Sequence, residues 1–238
     1  MNNLLENCRD QNGSRLIQQH FEKADFEEQE KIFEQIYPQA YSLMTDVFGN
    51  YVIQKIFEFG SAQQKTALYQ EMQGKIFELC QNAYGCRVVQ KALESDSTIQ
   101  DEILNEISNH VLELVEDANG NHVIQKCFED IHIQKLQFII NEVSKHVENL
   151  AFNAFGCRVI QKILQNSTPE ISKPILKILL KNAAKACRCQ YANYIMQYLL
   201  EKGPQQEKEE LCEYLKNNFV VLSMNKFARY LGVNFALS

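Results

Sequence analysis

The sequence has few residues that interrupt helices and no features of a membrane-spanning or secreted chain. Only 9 glycines and 4 prolines occur among 238 residues, and tryptophan is absent. A β-sheet protein of this length needs more turn residues, so the scarcity favours runs of helix joined by short turns. No apolar run approaches the ~18 residues that cross a bilayer, and the opening MNNLLENCRD lacks the apolar stretch of a secretory signal. We therefore expect a cytoplasmic protein with no membrane partner.

Motifs of common enzymes and metal sites are also missing. GxxxxGK[ST], GxGxxG and HExxH do not occur, and the five histidines form no pair at i, i+4. Eight cysteines are present without a CxxC pair. The closest two, Cys187 and Cys189, are interpreted as reduced structural thiols, with a metal site as the less favoured alternative. We expect no enzyme activity, no cofactor, no metal and no small-molecule substrate.

Basic residues are not in excess. The 24 lysines and arginines are outnumbered by 30 aspartates and glutamates, which gives a net charge of −6 and an isoelectric point near 5.5. This balance excludes a protein that holds nucleic acid through overall basicity. It leaves open a basic region confined to one part of the surface.

Five of the nine glycines recur at an interval of 35 or 36 residues, which indicates an internal repeat. These glycines, here called the register residues, are Gly13, Gly49, Gly85, Gly120 and Gly156. Two further steps of 36 residues reach Ala192 and Ala228, the smallest substitutes for glycine. The register predicts one domain, 1–238, made of repeats at approximately 2–37, 38–73, 74–108, 109–144, 145–180 and 181–216, and a partial repeat at 217–238.

Between the register residues the apolar spacing is helical. Ile99, Ile103, Leu104 and Ile107 form an apolar stripe, and short helices are predicted at 75–80 and 110–115, just before two of the register residues. Such a small helical package buries its apolar face only by stacking on its neighbours. We therefore expect an all-α solenoid with a concave and a convex surface.

Polar and planar side chains also recur in this register. In six repeats a glutamine follows the register residue by five positions, and the residue four before it shares its helix face. The six pairs are Ser14 with Gln18, Asn50 with Gln54, Cys86 with Gln90, Asn121 with Gln125, Cys157 with Gln161, and Asn193 with Gln197. A planar residue lies between the members of each pair: Arg15, Tyr51, Arg87, His122, Arg158 and Tyr194.

Regularly spaced planar groups beside amides are suited to single-stranded RNA, whose bases stack on flat side chains and are read at their edges. The structural alternative is that the amides form a ladder between repeats and the planar residues pack the seam. The six residues after each of these register positions hold seven lysines and arginines and no acidic residue. This predicts a narrow basic stripe able to attract phosphate.

The segments DVFGNYVIQK, YGCRVVQKALE and NGNHVIQKCFE resemble Pumilio/FBF (PUF) repeats, a family that reads one base per helical repeat. The resemblance covers essentially the whole chain. It implies a right-handed α-solenoid, a curved superhelix of three-helix PUF repeats about 36 residues long. It also implies single-stranded RNA as the ligand on the concave face. Each pair and its planar residue form a triad, in which the two paired residues contact the edge of a base and the planar residue stacks on a base.

The resemblance further implies a base for each triad. In this family asparagine and glutamine across a tyrosine or histidine read uracil, while cysteine or serine with glutamine beside an arginine reads adenine. Because the RNA runs antiparallel to the chain, the sixth to the first repeat would read 5′-UAUAUA-3′. The family binds mRNA 3′ untranslated regions in post-transcriptional regulation, by translation repression or mRNA decay, which implies translational repressors or deadenylase components as partners on the convex face.

The seventh repeat departs from the family pattern. A guanine-reading triad would place serine after Ala228 and glutamate four residues further on, where this sequence has Arg229 and Val233. Tyr230 would offer at most a stacking surface. The first repeat begins near Asn2 without a preceding cap and no eighth repeat follows, so we expect exposed apolar ends that lower stability or promote self-association.

Two other functions remain as alternatives. A helical-repeat scaffold that binds proteins would need no base-specific RNA recognition, but the period of 36 does not fit the ~34 residues of tetratricopeptide repeats or the ~40–47 of armadillo-type repeats. A scaffold also gives no reason for the recurring glutamine. A family branch that holds structured RNA without base selectivity is disfavoured by the intact triads.

Overall fold

The computed structural model describes residues 4–229 and residue 231, and all of the regular structure in this part of the chain is helical. The helices, numbered in chain order, come in triplets. Short first helices are α1 (Leu4–Cys8), α4 (Ala40–Met44), α7 (Ile76–Gln81), α10 (Val111–Glu116), α13 (Val147–Leu150), α16 (Ala183–Arg188) and α19 (Phe219–Ser223). The short helices predicted at 75–80 and 110–115 are therefore found one residue later, as α7 and α10.

The second helix of each triplet carries the polar motif and is here called the motif helix. The motif helices are α2 (Gln11–Lys23), α5 (Gly49–Phe59), α8 (Gly85–Ala92), α11 (Gly120–Asp130), α14 (Gly156–Asn166) and α17 (Asn193–Lys202). The third helices are α3 (Phe26–Ile36), α6 (Ala62–Met72), α9 (Ser97–Ile107), α12 (Gln137–Lys145), α15 (Pro169–Lys181) and α18 (Gln205–Asn217). Two 3-10 turns, Tyr37–Gln39 and Ile133–Leu136, complete the described elements.

The described residues divide into two compact units. The amino-terminal unit contains residues 4–110 and 117–131, and the carboxy-terminal unit contains 111–116, 132–229 and 231. Within the amino-terminal unit, α2 packs against α5, α5 against α8, and α8 against α11. Within the carboxy-terminal unit, α14 packs against α17 and α15 against α18. Each unit is thus built by stacking equivalent helices of successive repeats, as the solenoid prediction requires.

Some predictions cannot be compared with this structure. Tyr230 and Val233 of the seventh repeat lie outside the described residues, as does Asn2 at the predicted start of the first repeat. None of the described helices is long and apolar enough to cross a membrane.

In the second and fifth repeats the register residue is glycine because the first helix runs very close to the motif helix. A Cβ added to Gly156 would lie 2.7 Å from the carbonyl oxygen of Leu150, and one added to Gly49 would lie 3.0 Å from that of Leu43. In the sixth repeat, Ala192 is the register residue and is fully buried. Six residues before it, where the other two repeats have leucine, stands the smaller Ala186. The register residue therefore limits how closely these two helices approach.

An Asx side chain fixes the start of most motif helices. The Oδ1 atom of Asp46 accepts hydrogen bonds from the backbone N–H groups of Phe48 (2.9 Å) and Gly49 (2.7 Å). The residues that cap the corresponding turns in the same way are Asp10, Asn82, Asp117, Asn153 and Asn225. Such caps satisfy N–H groups that the helix itself cannot pair, and so determine where the helix begins.

Cys189 occupies the capping position in the sixth repeat. Its sulfur accepts a hydrogen bond from the backbone N–H of Tyr191 at 3.4 Å, which gives this thiol a structural role. All eight cysteines are free thiols, and the described residues contain no group of three histidine, cysteine or acidic side chains able to hold a metal ion.

A buried carboxylate in α18 lacks a hydrogen-bond partner. Both carboxylate oxygens of Glu207 are buried and receive no hydrogen bond from the described residues. At the same position of the second repeat, the Oε1 atom of Gln64 accepts a hydrogen bond from the backbone N–H of Ser61 at 3.0 Å, and its Nε2 atom donates one to Glu30 at 2.7 Å. Pro204 takes the place of Ser61 in the sixth repeat and has no N–H to donate.

We expect the double substitution Pro204→Ser with Glu207→Gln to raise the free energy of unfolding by about 1–2 kcal/mol. It replaces a buried carboxyl group that lacks a hydrogen-bond partner and supplies both halves of a capping box. Urea denaturation followed by circular dichroism measures the change. Gln64→Glu is the reciprocal control and should lower stability, because it places a carboxylate against Glu30. A double variant no more stable than the parent would contradict this explanation.

Candidate nucleic-acid interface

In the three repeats predicted to read uracil, asparagine holds the glutamine in place. The Nε2 atom of each glutamine donates a hydrogen bond of 2.8 Å to the asparagine Oδ1 four residues earlier, as seen for Gln54 with Asn50, Gln125 with Asn121, and Gln197 with Asn193. The asparagines are buried. Asn50 donates both of its Nδ2 hydrogens to its own chain, to the carbonyl oxygens of Asp46 (2.8 Å) and Val47 (3.1 Å). Its Oδ1 atom is therefore turned toward the glutamine.

In two of the repeats predicted to read adenine, the glutamine is held by the backbone instead. The Nε2 atoms of Gln18 and Gln90 donate to the carbonyl oxygens of Ser14 and Cys86, each at 3.0 Å. The thiol of Cys86 is buried and donates to the carbonyl of Ala83 at 3.5 Å. No side-chain oxygen orients the glutamine in these repeats.

The small residues at the start of the first and fifth triads donate to a backbone carbonyl, as Cys86 does. The hydroxyl of Ser14 donates to the carbonyl of Gln11 at 3.3 Å, and the thiol of Cys157 to that of Ala154 at 3.6 Å. Burial raises the pKa of the Cys157 thiol above its usual value, with Arg158 acting in the opposite direction. The thiol therefore stays protonated at neutral pH. Gln161, the last member of this triad, is half-buried on α14.

The planar residues are largely exposed. Tyr51 and Tyr194 are 52% and 56% exposed, Arg15, Arg87 and Arg158 are exposed, and His122 is half-buried. Exposed tyrosine rings do not pack a seam, and the hydrogen bonds of the triad amides join residues of the same repeat. The structural alternative of an amide ladder between repeats is thus not what the structure contains. In the amino-terminal unit, a pocket of about 390 Å³ is lined by Arg15 and Tyr51 together with Ser14 and Gln18.

The lysines that follow three of the glutamines form ion pairs. Lys55 contacts Glu22 and Glu58 (both 3.2 Å), Lys91 contacts Glu58 (3.9 Å) and Glu94 (2.7 Å), and Lys126 contacts Glu94 (2.9 Å), Glu129 (3.8 Å) and Asp130 (3.1 Å). We call this set the lysine–carboxylate ladder. It narrows the prediction of a basic stripe, because Lys55, Lys91 and Lys126 are paired with carboxylates while the stripe's arginines, Arg15, Arg87 and Arg158, are exposed.

The sequence did not predict the ladder, because the basic stripe was inferred from the six residues after each register residue and the carboxylates lie beyond these segments. A glutamate nine residues after the register residue recurs as Glu22, Glu58, Glu94 and Glu129, and this recurrence is the signal that would have shown it. The ladder shares a groove of about 410 Å³ with the base-edge and stacking residues Gln18, Gln54, Gln90, Tyr51 and Arg87.

The helical triplets form a solenoid, and six of them carry a planar side chain and a glutamine on the motif helix. The model of the Pumilio-family RNA binding repeat matches residues 8–37, 39–72, 75–108, 110–144, 146–180 and 187–215. The chain belongs to this family, the PUF repeat proteins.

Curated relatives extend well beyond the part that is similar to this chain. The Pumilio domain-containing protein C6G9.14 of Schizosaccharomyces pombe is 30% identical over 229 residues, which are 95% of this chain and 34% of that protein. The maternal protein pumilio of Drosophila melanogaster is 51% identical over 47 residues, 20% of this chain and 3% of that protein. The chain thus spans about a third or less of the length of these relatives.

Solved structures of the family confirm the predicted all-α PUF solenoid. The Puf3 RNA binding domain bound to the Cox17 RNA 3′ UTR recognition sequence, site A, matches with a TM-score of 0.92 and 42% identity, covering 97% of this chain and 69% of that one. PUF-8 in complex with PBE-RNA matches with a TM-score of 0.89 and 33% identity, covering 96% of this chain and 68% of that one.

Proposed function

We propose that this protein binds single-stranded RNA with sequence specificity, one base per repeat, and prefers 5′-UAUAUA-3′. The observation that carries the proposal is the alternation of two kinds of glutamine. Asn50, Asn121 and Asn193 each hold a glutamine through a side-chain oxygen, whereas the glutamines of the first and third repeats are held by backbone carbonyls. In these five repeats the two arrangements coincide with the two triad types.

The asparagine-held glutamine suits uracil. One hydrogen of the Gln54 Nε2 atom is used by Asn50, which leaves the second hydrogen and the Oε1 atom for a ligand. A uracil edge presents its N3–H donor between two carbonyl acceptors. The glutamine Oε1 accepts from N3–H and its Nε2 donates to an adjacent carbonyl, so a single fixed amide makes two bonds.

The backbone-held glutamine suits adenine. The Gln90 Nε2 atom keeps one hydrogen for adenine N1, and its Oε1 atom accepts from the N6 amino group. The small, buried Cys86 beside it leaves room for the larger purine. Tyr51 and Arg87 then supply flat surfaces for stacking, worth about 1–3 kcal/mol per base and independent of sequence.

The RNA-bound structures of the similar Puf3 and PUF-8 domains support a biological role for this binding. We propose mRNA 3′ untranslated regions as targets and translation repression or mRNA decay in the cytoplasm as the outcome. Translational repressors or deadenylase components would bind the face opposite the triads. The proposal needs no catalytic residue, and the repeat bounds given above remain predictions.

Binding to a panel of RNAs tests the proposal. Each position of UAUAUA is replaced in turn, and affinity is measured by fluorescence anisotropy at one fixed salt concentration. Replacing a base that a triad reads should weaken binding by about 1–3 kcal/mol, roughly 10- to 100-fold. A scrambled hexamer of the same composition is the control. Equal affinity for all of these RNAs would contradict base reading and favour the scaffold alternative.

A further inference from the structure

The lysine–carboxylate ladder gives each of its lysines a carboxylate on two sides. Lys91 contacts Glu58, from the preceding repeat, and Glu94, from its own repeat. Lys55 is placed in the same way between Glu22 and Glu58. The ladder thus alternates positive and negative charge across the motif helices of the amino-terminal unit.

The ladder lies where a bound RNA strand would pass. Its residues line the same groove as Gln54, Gln90 and Tyr51, and the side chains of Lys91 and Lys126 remain 21% exposed. An unpaired lysine in such a groove attracts the phosphates of any RNA, whatever its sequence. The ladder therefore lies at a place where sequence-independent binding would otherwise arise.

Lys126 and Glu94, which form one ion pair of the ladder, keep their charges at neutral pH. Burial opposes the charge on Lys126, but hydrogen bonds to Glu94 and Asp130 outweigh burial and raise its pKa. Burial likewise acts to raise the pKa of the Glu94 carboxyl, but hydrogen bonds from Lys91 and Lys126 lower it overall. Charges held this close together cancel for a phosphate at a longer distance.

In the carboxy-terminal unit, the carboxylate of one repeat and the lysine of the next are replaced together. At the positions of Glu58 and Lys91, the fifth and sixth repeats have Gln165 and Tyr198. The Tyr198 hydroxyl donates to the carbonyl of Leu164 at 2.9 Å instead of forming an ion pair. At this pair of positions in neighbouring repeats, Glu58 with Lys91 and Gln165 with Tyr198 are thus charged or neutral together, whereas within one repeat the two positions vary independently, as in Lys162 with Gln165 and Tyr198 with Glu201.

We propose that Glu58 and Glu94 are specificity-determining residues, which mask Lys91 so that the bases, and not the phosphates, decide which RNA binds. This inference rests on the proposed function. In the specific complex the bases face the glutamines and hence the ladder. A strand whose bases do not fit can turn its phosphates into the groove, and an unmasked lysine would hold it there.

The double variant E58Q/E94Q tests the inference, because it removes both carboxylates from Lys91 while Lys55 keeps Glu22 and Lys126 keeps Asp130. We expect its affinity for a cytidine hexamer to rise about fivefold at low salt. The slope of log affinity against log salt concentration should steepen by about 0.7, the value for one additional phosphate contact on a single strand. The ratio of UAUAUA to cytidine-hexamer affinity should fall accordingly.

Two further variants separate masking from a simple change in net charge. E27Q/E34Q removes two exposed carboxylates from α3, which do not line the groove, and should leave both affinities unchanged. Adding K91Q to E58Q/E94Q should abolish the gain. If the gain persists in this triple variant, the carboxylates repel RNA directly and the masking of Lys91 is wrong.

The remaining outcomes distinguish this inference from the proposed function. Unchanged cytidine-hexamer binding by E58Q/E94Q, with parental preference for UAUAUA intact, would overturn the inference alone. A parent with no preference for UAUAUA would overturn the proposed function. Should E58Q/E94Q fail to fold, K91Q/E94Q decides, because it removes one charge of each sign. A masked lysine predicts parental cytidine-hexamer affinity and salt slope for this variant, and a weaker complex with a shallower slope would overturn the inference.

Discussion

Asn50→Cys combined with Tyr51→Arg is expected to change the base bound by the second repeat from uracil to adenine. The variant should prefer UAUAAA to UAUAUA by about 10- to 100-fold, which corresponds to roughly 1–3 kcal/mol for one base. Without the Oδ1 atom of Asn50, the Gln54 amide loses its side-chain partner. It is then free to donate to the backbone carbonyl of residue 50, as Gln90 does to that of Cys86.

The chain itself supplies the matched control. Cys86→Asn with Arg87→Tyr gives the third repeat the triad of the second, and should change the preferred RNA to UAUUUA. Both variants are measured against the same panel of hexamers, with circular dichroism to confirm folding. If both retain the parental preference, the first two positions of the triad do not choose the base. The assignment of uracil and adenine from triad type would then be wrong.

Gly156→Ala is expected to lower the free energy of unfolding by about 1–3 kcal/mol, the usual cost of overpacking. The added methyl group would lie 2.7 Å from the Leu150 carbonyl oxygen, an atom of the backbone that cannot turn aside. Alanine is otherwise the better helix former, by up to about 1 kcal/mol. A loss of stability therefore identifies the close approach of α13 and α14 as its cause.

Ala192→Gly is the control for this substitution. Ala192 already carries the methyl group at the same register position, beside the smaller Ala186. Its replacement by glycine should cost about 1 kcal/mol or less, from the loss of one buried methyl group and the greater backbone freedom of glycine. Urea denaturation measures both variants. A Gly156→Ala variant as stable as the parent would show that α13 and α14 can separate without cost.

Much of the site follows from periodicity that is visible in the sequence. The interval between register glycines, together with the glutamine five residues later, placed all six triads and the family without any coordinates. Such a pattern is readable because neighbours four apart in a helix share a face in any context. The helix boundaries near residues 76 and 111 were predicted to within one residue for the same reason.

Contacts between repeats were not readable in this way. The partners of Lys91 lie three residues away in its own repeat and 33 residues away in the preceding one. The second distance has meaning only once α5 and α8 are packed together. Composition therefore indicated a basic stripe in which the folded protein pairs three of the lysines with carboxylates. The role of Cys189 likewise became clear only from its hydrogen bond to Tyr191.

The sequence by itself determined the repeat, its helical character, the family and the position of every triad, because each of these depends on local spacing along one helix. The tertiary structure decided how the triads are held and which charges remain available. Whether a glutamine is anchored by a side chain or by the backbone depends on hydrogen-bond geometry, and whether a lysine attracts phosphate depends on the carboxylates that the neighbouring helix brings beside it.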